Sequence, residues 1–290
     1  MWEEVAKNKR QSWILFFFFF LFIVILGGLF GWYWGIGPWG TVIAFFIAFI
    51  MIVGAFYNSD KIVLSISKAR PANHREHTFL DNTVEGLAIA AQIPKPKIYV
   101  IEDTAPNAFA TGRDPEHAVV CVTTGLMQKM KRVELEGVLA HEIAHIKNYD
   151  IRFMMLVTVM VGTTVLLSDV FARSMFYGRG RRNGGGGAIL VIGLILAIFA
   201  PIAAMMMKFA LSRQREYLAD ANGALLTRYP EGLASALEKL KNDKKPLKAA
   251  NKATSHLYII NPLREHKSKL NNMFSTHPPI EDRIKRLRAM

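Results

Sequence analysis

The residues best equipped for chemistry are two histidines four apart with a glutamate beside the first, His141-Glu142-Ile-Ala-His145. On a helix, positions i and i+4 share a face, so both imidazoles can reach one metal ion. Glu142 then stands as a base toward a water acidified by that ion. This is the equipment of a zinc-dependent peptidase, but the short pattern is weak without a third ligand. Farther on, Arg213-Gln-Arg215-Glu216-Tyr217-Leu-Ala-Asp220 offers two carboxylates at the same spacing. Glu216 completes a two-histidine, one-glutamate set that leaves a position open for water. Asp220 is placed to accept the second ring proton of a ligand imidazole. A solvated helix laced with Arg213, Arg215 and Glu216 ion pairs would use the same residues.

Other candidates are less specific. In Phe274-Ser-Thr-His277-Pro-Pro the prolines impose an extended approach, and a His fixed there could donate to the oxyanion of a tetrahedral intermediate. A loop His without a role reads the same way. Lys97–Glu102 and Ala118–Thr123 read as short strands. Between them, Asn107-Ala108-Phe109-Ala110-Thr111-Gly112 is extended. It is either an exposed edge able to pair with a substrate backbone or an ordinary sheet strand. His74 and His77 belong to a solvated first turn, and His117, His256 and His266 to the surface. Cys121 stands alone, which excludes an intramolecular disulfide and a Cys-rich zinc site, and its apolar run places it in a buried strand. Gly184 to Gly187 lack the Gly-Lys-Ser/Thr ending of a phosphate loop, so no nucleotide is expected.

The elements that must position these groups include membrane anchors. Between Arg10 and Asp60 lie 49 residues with no charged side chain, enough for two spans, Trp13 to Trp34 and Thr41 to Tyr57, turning at Gly35, Gly37 and Pro38. Trp32, Tyr33, Trp34 and Trp39 form an interfacial belt. The run is too long for a signal peptide. Lys7, Lys9 and Arg10 before it, and Lys61, Lys68 and Arg70 after it, put both ends in the cytoplasm. Phe153–Ala172 and Ala188–Met207 are two further apolar stretches. The four arginines between them, Arg173, Arg179, Arg181 and Arg182, conflict with a simple second hairpin. The two stretches together cross twice or not at all if Glu216 is to join His141 and His145. A net charge of +13 beside 51% hydrophobic residues fits a membrane protein with a basic cytoplasmic side, and nucleic acid is not needed to explain it.

Packing helices are expected over Asn73–Gln92 (with Phe79, Leu80, Val84, Leu87 and Ala91 inward), Val133–Asn148, Leu233–Leu240 and Ile280–Leu287, with a solvated or leaflet-facing basic run at Lys241–Lys252.

Four segments together carry a resemblance: Pro-Asn-Ala-Phe-Ala-Thr-Gly from Pro106, Leu-Ala-His-Glu-Ile-Ala-His from Leu139, Ser-Arg-Gln-Arg-Glu-Tyr-Leu-Ala-Asp from Ser212, and Ser-Thr-His-Pro-Pro-Ile-Glu-Asp-Arg-Ile from Ser275. The chain resembles the HtpX-type integral-membrane metalloproteases, relatives of the CAAX prenyl endopeptidases. The resemblance implies an α-helical membrane protein with a mainly α, gluzincin-like zinc-metalloprotease domain containing a small β-sheet. It implies His141, His145 and Glu216 as ligands of one zinc ion per chain, Glu142 as general base, and Asp220 in support. It places Asn107 to Gly112 along the substrate cleft and His277 and Arg283 near the transition state. The expected organisation is an anchor hairpin over 1–59, a first protease segment over 60–150, two apolar segments with a basic loop over 151–208, and a second protease segment over 209–290. The expected function is stress-induced quality control, in which the enzyme cuts damaged or misassembled membrane proteins, or unfolded polypeptides, from the cytoplasmic face of the plasma membrane. A CAAX-type prenyl peptidase, an inactive membrane adaptor and a transporter are the competing readings. The first expects more spans, the second no Glu142, and the third ionisable groups within the spans, where only Asp169 qualifies.

Overall fold

The uncharged N-terminal run folds as a helical hairpin. Helix α1 (Trp2–Tyr33) begins before the apolar residues do, and its first turns bury Asn8 and Ser12 while Trp13, Phe17, Phe18 and Ile25 stay exposed. Gly35 and Gly37 take φ of 71° and 62°, left-handed values open to glycine at little cost, and Pro38 then occupies the first turn of α2 (Pro38–Ile66). Helix α2 leaves helical geometry at Asn58, whose Nδ2 donates to Gly54 O at 3.0 Å, and then continues to Ile66. Val5–Ile25 and Pro38–Asn58 are long and apolar enough to cross a membrane. The computed structural model describes residues 2–33, 35–160, 213–243, 245–248, 254–262 and 278–290. The glycine run, the stretch Ala188–Met207, most of Phe153–Ala172, His266 and His277 lie outside the described residues.

After the hairpin comes a four-stranded mixed sheet, β1 (Arg70–Pro71), β2 (Lys97–Ile101), β3 (Ala108–Thr111) and β4 (Val119–Thr123), in spatial order β1-β2-β4-β3. Strand β2 runs parallel to β4, while β1 and β3 are antiparallel to their neighbours. The expected strands are β2 and β4, and the run between them is the edge strand β3. Every residue of β3 and β4 is buried, Cys121 among them.

Helix α3 (Thr78–Ala91) buries Leu80, Val84, Leu87 and Ala91 as expected. Phe79 is 38% exposed instead, under the Arg132 guanidinium at 5.0 Å, because at helical spacing it falls off the Leu80–Val84–Leu87 stripe. Helix α4 (Thr124–Lys129) is capped by Thr123, whose Oγ1 accepts from Leu126 N at 3.1 Å.

Helix α5 (Arg132–Lys147) is the centre of the fold. It is buried from Val138 through Ile146 without a break, so it is wrapped on all sides. Helices α7 (Arg213–Thr227), α8 (Pro230–Asn242) and α9 (Ile280–Arg288) complete the bundle, and Leu139, Ile143, Leu233, Leu237, Leu240 and Leu287 share one core with Val120 of the sheet. Between α5 and α7 comes α6, which begins at residue 150 and is described to residue 160. Leu15 and Phe19 of α1 pack on α6 through Phe153, Met155 and Leu156.

Two surface expectations are corrected. His256 is buried, with Nε2 at 3.1 Å from both Thr158 Oγ1 and Met154 O of α6. In the basic run, Leu247 is buried and Lys248 N donates to Asp103 Oδ2 at 2.8 Å. In both cases the segment after α8 returns to distant elements, a contact that local composition does not encode.

Candidate active site

One turn of α5 separates His141 from His145, and their rings meet nearly perpendicular with Nε2 atoms 3.2 Å apart. Glu216, in the first turn of α7, reaches both: Oε2 is 3.7 Å from His141 Nε2 and Oε1 is 3.6 Å from His145 Nε2. One ligand atom from each of the three lies within 4.8 Å of the others, and all three side chains are buried. A solvated ion-pair helix is thereby excluded for Glu216, Arg215 and Asp220, which are buried as well.

The outward ring nitrogens are each held by a carboxylate. His141 Nδ1 lies 3.0 Å from Asp220 Oδ1, and His145 Nδ1 lies 3.0 Å from Asp150 Oδ2. When Nδ1 carries the proton, Nε2 presents a lone pair, so two lone pairs and a carboxylate converge in a buried space. Two imidazoles and a carboxylate held this close are a donor set that fits zinc. The two imidazoles are shifted in opposite directions. Burial works against a charge on His145, but the Asp150 hydrogen bond and the charges of Glu216, Asp150 and Glu142 overcome it and raise the imidazole to about 9. Burial pulls His141 the other way, below its ordinary value, against the Asp220 hydrogen bond.

Asp220 is itself clamped. Arg283 of α9, only 1% exposed, donates from Nε to Asp220 Oδ2 at 2.8 Å and from Nη2 to Oδ1 at 2.7 Å. Its Nη1 lies 3.3 Å from Glu216 Oε2 and 3.4 Å from Ile259 O. Burial alone would raise the Asp220 carboxyl, but the guanidinium and the His141 hydrogen bond hold it well below the carboxylate range. Arg283 thus ties α9 to both carboxylates of α7.

Glu142 faces the sheet. Its buried carboxyl is pushed up to about 7 by desolvation and by the charge of Glu216, against the pull of His145, the Ala110 backbone N–H and Arg283. A carboxyl poised near neutrality is suited to take and return a proton.

The segment Asn107 to Gly112 lies beside this carboxyl as the sheet's edge strand, but its outer side is not wholly open. Ile259 N donates to Ala108 O at 3.0 Å, Phe109 bridges to Tyr258, and Asn107 Nδ2 donates to Ile260 O at 2.9 Å. Of the two readings of this strand, the ordinary sheet strand holds over Asn107–Phe109, where residues 258–260 have already taken the pairing positions. Ala110, Thr111 and Gly112 continue past that contact. Gly112 has φ of 137°, and a Cβ there would meet His117 O at 2.4 Å.

Sequence reasoning missed Asp150. It stands just beyond α5, across a turn where Tyr149 takes a left-handed φ of 60°, so helical periodicity from His145 does not reach it. The available signal was an acidic residue one short turn past the second histidine.

The sequence profile of peptidase family M48 matches residues 74–290. Among curated relatives, a protease HtpX homolog of Dictyoglomus thermophilum is 51% identical over all of this chain and 94% of that protein. One of Thermoanaerobacter pseudethanolicus is 47% identical over all of this chain and 98% of that protein. One of Streptococcus gordonii is 42% identical over the full length of both. Among solved structures, the crystal structure of S. mikatae Ste24p aligns with a TM-score of 0.51 at 22% identity, covering 83% of this chain and 57% of that one. That likeness concerns the fold.

Proposed function

This chain belongs to peptidase family M48, among its HtpX-type metalloproteases, and from that premise we propose that it is a membrane-bound zinc endopeptidase. Its proposed substrates are damaged or misassembled membrane proteins and unfolded polypeptides, cut at the cytoplasmic face. The observation that carries the zinc reading is the convergence of His141 Nε2, His145 Nε2 and Glu216, with both Nδ1 atoms anchored on carboxylates, beside a buried Glu142.

His141, His145 and Glu216 would hold the ion, which would polarise the scissile carbonyl and acidify water. Asp220 and Asp150 fix the imidazole tautomers. Glu142 takes the proton of the attacking water and returns it to the leaving amine. Arg283 keeps Asp220 ionised and holds Glu216 in place. The substrate backbone would lie along Ala110 to Gly112. His277 is the proposed oxyanion donor, on the strength of its place between the extended approach and two prolines.

The membrane setting has its own support. The two apolar helices suit a bilayer, and α1 touches the protein body at Asn148 and Asp150 through Asn8, in the first turn of the Val5–Ile25 stretch. The centre therefore sits close to the level where the span begins, suited to loops and partly extracted segments. Lys7, Lys9, Arg10, Lys61 and Lys68 favour the cytoplasmic side for that end. The bilayer is the only other partner proposed.

Metal analysis of the purified protein with casein cleavage tests the reading. One zinc per chain is expected. Glu142→Gln should keep the metal and lose cleavage, whereas Glu216→Ala should lose the metal. Full activity in Glu142→Gln would sink the mechanism.

A further inference from the structure

Helix α1 does more than enter the membrane. Asn8, 2% exposed, donates from Nδ2 to Asp150 Oδ1 at 2.7 Å and to Asn148 O at 2.8 Å. Asp150 spends its other oxygen on His145 Nδ1. One turn along α1, Gln11 Oε1 accepts from Arg215 Nη2 at 2.5 Å, while Arg215 Nε lies 3.5 Å from Asp150 Oδ1 and its guanidinium stacks on Phe153 at 4.4 Å. Arg215 immediately precedes Glu216. The same two turns of α1 thus reach behind both halves of the metal set, the α5 histidine through Asp150 and the α7 glutamate through Arg215. Lys9 closes the seam over the Tyr149 ring at 4.1 Å.

This contact is poorly explained as stabilisation. Asn8 Oδ1 and both side-chain polar atoms of Asn148 are buried with no hydrogen-bond partner among the described residues, and orphaned buried polar atoms cost stability. An apolar seam would dock α1 more firmly, as Leu15 and Phe19 do one and two turns later. What the polar seam supplies is direction: a donor that fixes which Asp150 oxygen faces His145.

We propose that Asn8 is a positioning residue for the metal centre, acting through Asp150, so that the membrane anchor is a structural part of the site. The inference rests on the zinc reading above. Hydrogen bonds behind a ligand imidazole commonly set metal affinity by 10- to 100-fold.

The test uses full-length protein in detergent or nanodiscs and follows zinc transfer to a chromogenic chelator, with no substrate present. Asn8→Asp, which keeps the shape but sets a carboxylate against Asp150, should release zinc at least about tenfold faster than wild type, and Asn8→Ala several-fold faster. Leu15→Ala, which loosens the same helix without touching Asp150, should release zinc at the wild-type rate even where its thermal midpoint falls as far. In an Asp150→Asn background, Asn8→Asp should add little, because the like-charge contact is gone. The d–d spectrum of the cobalt-substituted protein should shift in Asn8→Asp and not in Leu15→Ala. Wild-type rates in both Asn8 variants, or equal acceleration by Leu15→Ala, overturn the proposal. A wild type that binds no zinc overturns the metal reading instead.

Discussion

Gly223 sits in α7 three residues after Asp220, where α7 crosses α5 backbone to backbone. A Cβ added at Gly223 would lie 3.0 Å from His141 N, 3.2 Å from His141 Cα and 3.3 Å from Ala140 C. Ordinary carbon contacts begin near 3.5 Å, so Gly223→Ala drives α7 off α5 by a few tenths of an ångström. Two energies oppose. Overpacking costs about 1–3 kcal/mol, and alanine in a helix interior returns about 1 kcal/mol over glycine. The metal-free protein should therefore lose no more than about 2 kcal/mol. The displacement itself falls between His141 on one helix and Glu216 and Asp220 on the other. Zinc release to a chelator should accelerate about tenfold, a far larger relative effect than the change in midpoint. Gly137→Ala is the contrast: its Cβ would meet Leu233 N at 2.6 Å on α8, away from the ligands, so stability should fall more and zinc release less. If Gly223→Ala releases zinc at the wild-type rate, the α5–α7 spacing does not set the ligand geometry, and the reasoning fails.

Glu142→Gln should stabilise the metal-free protein above neutrality. The folded-state carboxyl is raised to about 7 from an ordinary 4.5, so the fold loses stability progressively between about pH 4.5 and 7 as the unfolded chain ionises, and the full loss persists above 7; glutamine never ionises. Denaturant melts should show a gain of about 1–3 kcal/mol at pH 8 that closes as pH falls toward 4.5. Arg283→Met should leave Asp220 buried without its counter-charge, costing about 3–5 kcal/mol; a midpoint unchanged by this substitution would show that Asp220 finds another cation. Asp150→Ala should weaken zinc binding by about 10- to 100-fold, measured by competition with a chelator, and a wild-type affinity would remove Asp150 from the site. Phe109→Ala, which empties the edge-on contact with Tyr258 at 5.0 Å, should cost about 3–5 kcal/mol by thermal melt.

The histidine pair, Glu216 and Asp220 were legible because each pair obeys a helical spacing that sequence displays directly. The strands β2 and β4 were legible from runs of Val and Ile, and the hairpin from the absence of charge. Asp150 was not, since the left-handed Tyr149 breaks the register between it and His145. The buried state of His256 and the pairing of Phe109 with Tyr258 depend on a chain segment returning from about a hundred residues away or more, and no local pattern announces such a return. Asn8 has no motif to mark it, and only the fold sets it behind His145.

Arg283 has a bearing on timing. Polypeptides are made from the N-terminus onward, so the hairpin, α5 and α7 are synthesised before the residue that pairs with Asp220 and Glu216. During that interval, closing α7 onto α5 would bury two carboxylates without their guanidinium. Packing α9 supplies the charge that makes burial of that pair of carboxylates favourable.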